Sequence, residues 1–175
     1  IDSGRFGMAE DTGRILNEAI VQGWQAGLGI GEAIGRYILK HPGKFPHRRL
    51  SLLAAGAQLG LPVTVHVAIG TDIIHMHPSA NGEAIGGGSL LDFRKLAAVV
   101  SHLEGGVYIN LGSAVLMPEV FLKTVTLGRN LGKALKQITT VNMDFLPHYR
   151  PMTNVVKRPT QKGGKGYALT GHHEL

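Results

Sequence analysis

The amino-acid sequence predicts an α/β fold organised around a mainly parallel β-sheet. Short apolar runs rich in β-branched residues alternate with stretches of helical periodicity, and the runs end in glycine or polar residues. Helices of about ten to fifteen residues between such runs are typical of βαβ units, whose strands are parallel. With 175 residues, the chain fits one domain with a sizeable core.

Helical periodicity dominates the first part of the chain, because apolar residues recur there at helical spacing. We expect residues 1–60 to form a helical segment and residues 61–175 to form the βαβ core of the same domain. The helices predicted in the first part are Met8–Trp24, Gly31–Lys40 and Pro46–Gln58.

Four apolar runs predict the strands of the core. They are Pro62–Ala68, Val107–Leu111, Ile138–Val141 and Tyr167–Thr170.

The glycine-rich stretch of residues 82–88 predicts a loop that cradles a phosphate or acts as a lid. Ser89 and Asp92 have the spacing of a capping box, which predicts that a helix begins there. Pro118 predicts the start of a helix over Glu119–Asn130.

The composition excludes several classes of function. Without cysteine, the chain has no disulfide, no cysteine nucleophile and no thiolate metal site, which is compatible with the cytoplasmic location that we expect. No apolar run approaches the roughly 20 residues that span a bilayer. The net charge of +6 comes from basic residues spread along the chain, and aromatic residues are few. A pocket for an anionic ligand, or simple solubility, therefore explains the charge better than nucleic-acid binding.

The two ends of the chain suggest a fragment. The sequence begins at Ile1 without a methionine, and residues 171–175 look like the first turn of an unfinished helix. We therefore expect this chain to be a piece of a longer protein. His172, His173 and Glu174 in that turn are candidates for an acid/base group facing a cleft.

Polar or glycine residues follow three of the predicted strands. Ligands of open parallel sheets bind beyond the carboxyl ends of the strands, so neighbouring strands would bring these ends to one crevice. Gly112-Ser113 would there offer backbone N–H groups near a helix N-terminus to a phosphate or carboxylate. The alternative is that the glycines only make tight turns. The three ends are Gly70-Thr71-Asp72, Gly112-Ser113 and Asn142-Met143-Asp144.

Three histidines, His66, His75 and His77, surround the first of these strand ends. On a strand, residues two apart face the same side, so His75 and His77 could reach one ligand. With His66 and Asp72 they could form a metal site with nitrogen and oxygen ligands. The alternative is that the histidines hydrogen-bond to loop backbone, or that a helix beginning near Asp72 separates the pair.

The proline- and glycine-rich segment between the third and fourth strands is predicted to be irregular and carries a group of basic residues. It is a candidate substrate-binding arm, in which Arg150 could hold a carboxylate through two parallel hydrogen bonds. Lys157 could act as a nucleophile or a point charge. The alternative is an exposed basic loop without such a role. The group consists of His148, Arg150, Lys157 and Arg158.

The order of these segments resembles deoxyhypusine synthase and its relatives, over roughly two thirds of the chain from Pro62 onward. No single motif is specific, and the linear order carries the resemblance. The similar pieces are Gly70–Ile74, Ile109–Ser113, Val141-Asn142, Arg150-Pro151 and Leu169–Leu175.

The resemblance implies a Rossmann-like three-layer fold, generally a homotetramer, that binds NAD. The family transfers an aminobutyl group from spermidine to a protein lysine through an enzyme-imine intermediate. By the same resemblance, Gly112, Ser113 and Asn142 would lie near a dinucleotide, and Asp72 would match an acidic residue that holds the polyamine. It also implies that an N-terminal part of the domain is missing from this chain.

The sequence departs from that family at the residues of the reaction. The imine-forming lysine of the family lies in a W-G-K context that this chain lacks, and Lys157 follows a different spacing. Histidines stand where acidic residues would surround the polyamine, and a cationic pocket disfavours a polycation. We therefore expect an altered substrate, for which an anion is a candidate. The histidines are His66, His75, His77 and His148.

The leading hypothesis is therefore an NAD-binding enzyme of the transferase type, acting on a small molecule or a protein lysine as a homo-oligomer. A metal-dependent hydrolase and a non-enzymatic binding or assembly protein on the same fold are the alternatives. The expected catalytic residues are His66, Asp72, His75 and Lys157. The expected cofactor-binding residues are Gly70, Thr71, Gly112, Ser113, Asn142 and Asp144. The expected substrate-binding residues are His148, Arg150, His172 and Glu174.

Overall fold

The computed structural model of the chain describes residues 10–172, which divide between two compact units. The first unit ends at Lys95 and the second begins at Leu96. The first is helical, and the second contains a parallel sheet. Within residues 10–172, no helix is both long and apolar enough to cross a membrane.

The first unit contains α1 (Glu10–Gln25), α2 (Ile30–Lys40), α3 (Leu52–Leu59) and most of α4 (Gly82–Val100). Ser51 caps α3, since its hydroxyl oxygen accepts a hydrogen bond from the backbone N–H of Ala54 at 3.2 Å. The helices predicted in this part are confirmed within the described residues, with α3 shorter than expected, and the predicted start at Met8 lies outside them. The residues at the centre of the core of this unit are Ile20, Ile30, Ile34, Ala54 and Ile85.

The glycine-rich stretch that predicted a loop is helical, because α4 begins at Gly82. The side-chain oxygen of Asn81 accepts a hydrogen bond from the backbone N–H of Ala84 at 2.9 Å and caps the helix. At Gly87, a Cβ atom would lie 2.5 Å from the ring of Trp24. Glycine therefore admits the indole close to the backbone here, and the prediction that a helix begins at Ser89 is wrong.

The predicted strand over residues 62–68 is also wrong. These residues have no regular secondary structure and belong to no sheet among the described residues. Val65 and Val67 pack against the helical core, and the backbone N–H of Val65 donates to the Asp92 carboxylate at 2.9 Å. The apolar, β-branched composition therefore reflects burial against helices, and a side chain replaces the neighbouring strand as the hydrogen-bond partner.

Three parallel strands form the sheet of the second unit in the order β1 (Val107–Leu111), β2 (Thr139–Asp144) and β3 (Lys165–Thr170). Helix α5 (Leu116–Asn130) connects β1 to β2. A π-helix (Met152–Lys157), preceded by a short helical turn, connects β2 to β3. An α/β fold with a parallel sheet is thus confirmed, and the connection predicted to be irregular contains helical residues at 149–157.

One face of this sheet is covered by α5 and the π-helix. Tyr108 of β1 stacks on Phe121 of α5 with ring centroids 3.6 Å apart, and this burial raises the pKa of Tyr108 to about 12. The hydroxyl of Thr140 donates to the carbonyl oxygen of Val155 in the π-helix at 2.7 Å. We call the face that bears Tyr108, Asn110, Thr140 and Asn142 the covered face.

Candidate functional site at the carboxyl edge of the sheet

A cavity of about 160 Å³ lies where the three strands end. Because the carboxyl ends of parallel strands meet at one edge, each strand contributes to it. Two residues predicted from the sequence, Asp144 and His172, line this cavity together. The other lining residues are Leu111, Met143, Leu169, Thr170 and Gly171.

Asp144 is buried at the end of β2 and is held in place by the turn that follows. One of its carboxylate oxygens accepts hydrogen bonds from the backbone N–H groups of Phe145 at 2.8 Å and Leu146 at 3.4 Å. Its backbone carbonyl accepts a hydrogen bond from the N–H of Gly171 at 3.1 Å. Asp144 therefore joins the end of β2 to the residues that follow β3.

The Gly112-Ser113 turn leads from β1 into α5. Gly112 has a φ of 68°, in the left-handed region that favours glycine, and its N–H donates to the carbonyl of Met143 at 3.0 Å. The hydroxyl oxygen of Ser113 accepts a hydrogen bond from the N–H of Met117 at 3.2 Å, in the first turn of α5. Helix α5 therefore begins shortly after this turn, at the edge of the sheet where β1 ends.

A buried amide pair supports this turn. Asn110 and Asn142 are register partners on neighbouring strands, and the side-chain N–H₂ of Asn110 donates to the Asn142 side-chain oxygen at 2.7 Å. The same amide donates to the carbonyl of Ser113 at 2.9 Å. Asn142 thus acts on the turn through Asn110, which was not among the predicted site residues. A polar residue in the middle of an apolar strand is the signal that could have identified it.

The third predicted strand end, Gly70-Thr71-Asp72, lies in the first unit, in the loop after residues 62–68. Thr71 donates from its hydroxyl to the carbonyl of Ala68 at 2.7 Å. Gly70 has a φ of 94°, and its N–H donates to a ring nitrogen of His75 at 3.1 Å. Asp72 is exposed just before the 3-10 turn Ile73–Met76. These contacts stay within the loop and define its local shape.

His66 is half-buried in the segment of residues 62–68, which precedes this loop. Burial lowers the pKa of its imidazole, and the negative charge of Asp92 acts in the opposite direction. One ring nitrogen lies 3.0 Å from the hydroxyl oxygen of Thr64. His66 is therefore disposed to be neutral near pH 7, as a general base must be.

Residues 10–172 contain no group of three or more His, Asp or Glu side chains that could hold a metal ion. His75 and His77 belong to a 3-10 turn and its cap rather than a strand, so their spacing does not direct them to one side. His77 contacts Ser79 at 2.6 Å and lies 3.5 Å from a carboxylate oxygen of Glu10. The metal-dependent hydrolase hypothesis depends on His66, Asp72, His75 and His77. These side chains do not form a metal site in the described part of the chain.

Asp92 was predicted to belong to a helix cap, whereas the structure buries it completely inside α4. One carboxylate oxygen accepts hydrogen bonds from the N–H groups of Gly31 and Val65, each at 2.9 Å. A Cβ atom at Gly29 would lie 1.9 Å from the other oxygen. Asp92 thus links the N-terminus of α2 to the segment that carries His66, and no local sequence signal identifies this role.

The predicted basic arm is distributed along the connection between β2 and β3. Lys157 is exposed at the end of the π-helix. Val156 immediately precedes Lys157, and a Cβ atom at Gly166 would lie 2.2 Å from the carbonyl oxygen of Val156. Because Gly166 is near the start of β3, Lys157 lies near the amino end of that strand. That end is opposite the cavity. His148 is half-buried before the helical turn, and Glu174 lies outside the described residues.

A second cavity, of about 220 Å³, lies in the first unit and includes none of the predicted site residues. Its charged residues are Glu32, Arg36 and Lys95, and Glu32 forms ion pairs with both cations. The hydrogen bond from Lys95 is the main reason that the pKa of Glu32 is lowered. These charges are largely paired with one another, so the cavity at the sheet edge remains the better candidate site.

Comparisons with protein-family models, with curated proteins and with solved structures found no match for this chain. The resemblance to deoxyhypusine synthase therefore stays a prediction.

Proposed function

We propose that this chain is part of an NAD-binding enzyme of the transferase type, with a Rossmann-like fold and its ligand site at the carboxyl edge of the sheet. The observation that carries the proposal is that Asp144 and His172 line one cavity at the ends of three parallel strands. Ligands of open parallel sheets bind at this edge. An imidazole and a carboxylate in one cavity are the groups that acid/base chemistry needs.

The residues at this edge fit parts of a dinucleotide. A carboxylate after a strand suits hydrogen bonds from ribose hydroxyls, and the turn before α5 suits a phosphate. The cavity of about 160 Å³ is smaller than the roughly 300–1,000 Å³ of typical ligand pockets. It therefore accommodates only part of a dinucleotide, and we propose that the rest lies along the edge towards Gly112-Ser113.

Bound NAD would supply a hydride acceptor, and the chain would supply binding and proton transfer. We propose His172 as the group that accepts or returns a proton, and Asp144 as the group that orients the ligand. Lys157 is a poor candidate for the nucleophile, since it lies near the opposite end of the sheet. A protein-lysine or small-molecule substrate would approach the same cavity.

The nucleotide part is tested by equilibrium dialysis of the purified protein against NAD. Asp144→Asn keeps the shape of the side chain and removes its charge, and His172→Ala removes the imidazole. We expect each variant to weaken NAD binding by about tenfold or more, which corresponds to a lost charged hydrogen bond. His102→Ala, at an exposed position of the same unit, is the matched control and should bind as the parent does. Absence of saturable NAD binding would refute the nucleotide part.

The transferase part needs a separate measurement. Formation of NADH, followed by its absorbance, is expected when NAD is mixed with an amine donor that the enzyme accepts. Spermidine and anionic amino acids are the first donors to test, because they distinguish a cationic substrate from an anionic one. A protein that binds NAD and forms no NADH with either class would support the binding-protein alternative.

A further inference from the structure

Two cationic side chains lie near one carboxylate on α5, and a third cation is connected to that carboxylate through a buried amide. Glu119 lies 3.6 Å from the guanidinium of Arg150 and 3.9 Å from the ammonium of Lys123. The side-chain N–H₂ of Asn154 donates to Glu119 at 2.8 Å, and the guanidinium of Arg158 donates to the side-chain oxygen of Asn154 at 3.1 Å. We call these five residues the Glu119 cluster.

The Glu119 cluster contains more positive than negative charge. Lys123, Arg150 and Arg158 contribute three positive charges and Glu119 one negative charge, a formal surplus of two. Arg158 bonds to a neutral amide, so its charge is not paired by this contact. The side chains of Lys123 and Arg150 are 65% and 54% exposed. Ion pairs this exposed contribute little to stability, so stability alone does not account for the arrangement.

The backbone that carries the cluster has an unusual geometry. The N–H of Arg158 donates to the carbonyl of Thr153, five residues earlier, at 2.9 Å, as in a π-helix. Such turns are rare and occur frequently at functional sites. Asn154 is buried within this turn and bonds to Glu119 on one side and Arg158 on the other. The cluster is therefore held in place at its buried end and open to solvent at its basic end.

We propose that the Glu119 cluster binds a small phosphate-bearing ligand. The planar guanidinium groups of Arg150 and Arg158 match the geometry of phosphate oxygens, and Lys123 adds a point charge. The 3.6 Å separation between Arg150 and Glu119 is longer than a hydrogen bond, so the guanidinium keeps donors available for a ligand. A ligand with at least two negative charges matches the surplus.

None of the five residues lines the cavity at the sheet edge, so phosphate binding is measured separately from NAD binding. Inorganic pyrophosphate is the probe, titrated into the full chain by isothermal calorimetry at low ionic strength. We expect saturable binding that weakens as salt increases. The double variant Arg150→Gln/Arg158→Gln should weaken it by about tenfold or more, and Lys123→Gln by a smaller factor.

The matched control is Lys133→Gln/Lys136→Gln, which removes two exposed charges from the same unit and should leave the affinity within about twofold. An equal loss in the control and the arginine variant would overturn the proposal, as would an absence of saturable pyrophosphate binding. Binding of heparin without binding of pyrophosphate would also overturn it, since that result indicates a general polyanion surface.

If circular dichroism shows that the arginine variant does not fold, Lys123→Gln and Arg150→Lys decide the question, because loss of the exposed charge or of the guanidinium fork must each weaken binding. NAD dialysis of these variants should be unchanged, which separates this outcome from failure of the NAD proposal.

Discussion

One face of the three-stranded sheet buries amide and hydroxyl side chains, whereas the other face exposes aliphatic and aromatic ones. On the covered face, Asn110 bonds to Asn142 and Thr140 bonds to the π-helix. We call the opposite side the open face, and its aliphatic and aromatic residues are Val107, Ile109, Leu111, Val141, Tyr167 and Leu169. Five of these six are about half exposed or more.

The difference shows that burial on this sheet does not follow hydropathy alone, because hydrogen-bonded amide and hydroxyl groups are buried while aliphatic side chains are exposed. A buried amide or hydroxyl is tolerated when its partners are also buried and correctly placed. Exposed aliphatic groups on a parallel sheet are less usual, because such sheets are normally covered on both faces. The covered face should therefore dominate the stability of this unit, and substitutions on the two faces measure that difference.

The largest effect is expected for Phe121→Ala. Phe121 is fully buried and stacks on Tyr108 of the covered face, so its removal leaves a cavity and should cost about 3–5 kcal/mol of unfolding free energy. Urea denaturation followed by circular dichroism measures the change. Leu169→Ala on the open face is the control and should cost under about 1 kcal/mol, because Leu169 is 53% exposed. Equal costs at the two positions would contradict the comparison.

A smaller effect is expected for Asn142→Leu. The change removes the acceptor of the Asn110 amide in a buried position and should cost about 1–3 kcal/mol of unfolding free energy. Replacing both residues by leucine removes both polar groups, so the double variant should cost less than the sum of the single variants. Additive losses in this double-mutant cycle would show that the two amides do not interact.

A still smaller effect is expected for Ile109→Thr on the open face. Ile109 is 56% exposed, so the substitution should change the unfolding free energy by less than about 0.5 kcal/mol. The matched substitution on a buried aliphatic residue of the same unit is Ile138→Thr, which should cost far more. If Ile109→Thr costs as much as Ile138→Thr, the open face is covered in solution.

The smallest effect concerns pH, and it arises outside the sheet. Burial places the pKa of His66 below its ordinary value of 6.5, so the unfolded chain binds the proton first as the pH falls. The contribution of His66 to stability is therefore present above that value and decreases as the pH falls through it. Denaturation at about pH 7 and pH 5 should show a smaller decrease for His66→Gln than for the parent. Equal decreases would show that His66 does not contribute.

Part of the fold and the candidate site could be predicted from local sequence. The strand Val107–Leu111 has the bounds that were predicted, because an apolar run between two glycine turns has few alternatives. Asp144 was selected from its position after a predicted strand, and it lines the cavity at that strand end. These successes depend on neighbouring residues alone.

The failures occur where distant residues decide the local structure. The glycine-rich stretch is helical because Asn81 caps it and because Gly87 lies against Trp24, 63 positions earlier in the chain. In the segment predicted to be the first strand, the backbone N–H of Val65 donates to the Asp92 carboxylate instead of to a neighbouring strand. Asn154 and Glu119, which are far apart in sequence, meet only in the folded chain. No window of sequence contains such contacts.

By itself, the sequence determined the α/β class, the alternation of helices with strands β1 to β3, and the polar residues at the strand ends. These follow from periodicity and from the strong backbone preferences of glycine and proline, which act over a few residues. Only the tertiary structure decided which polar groups are buried, that His172 joins Asp144 at one cavity, and that cations gather around Glu119. The physical reason is that hydrogen bonds, burial and charge depend on distances between residues that only folding brings together.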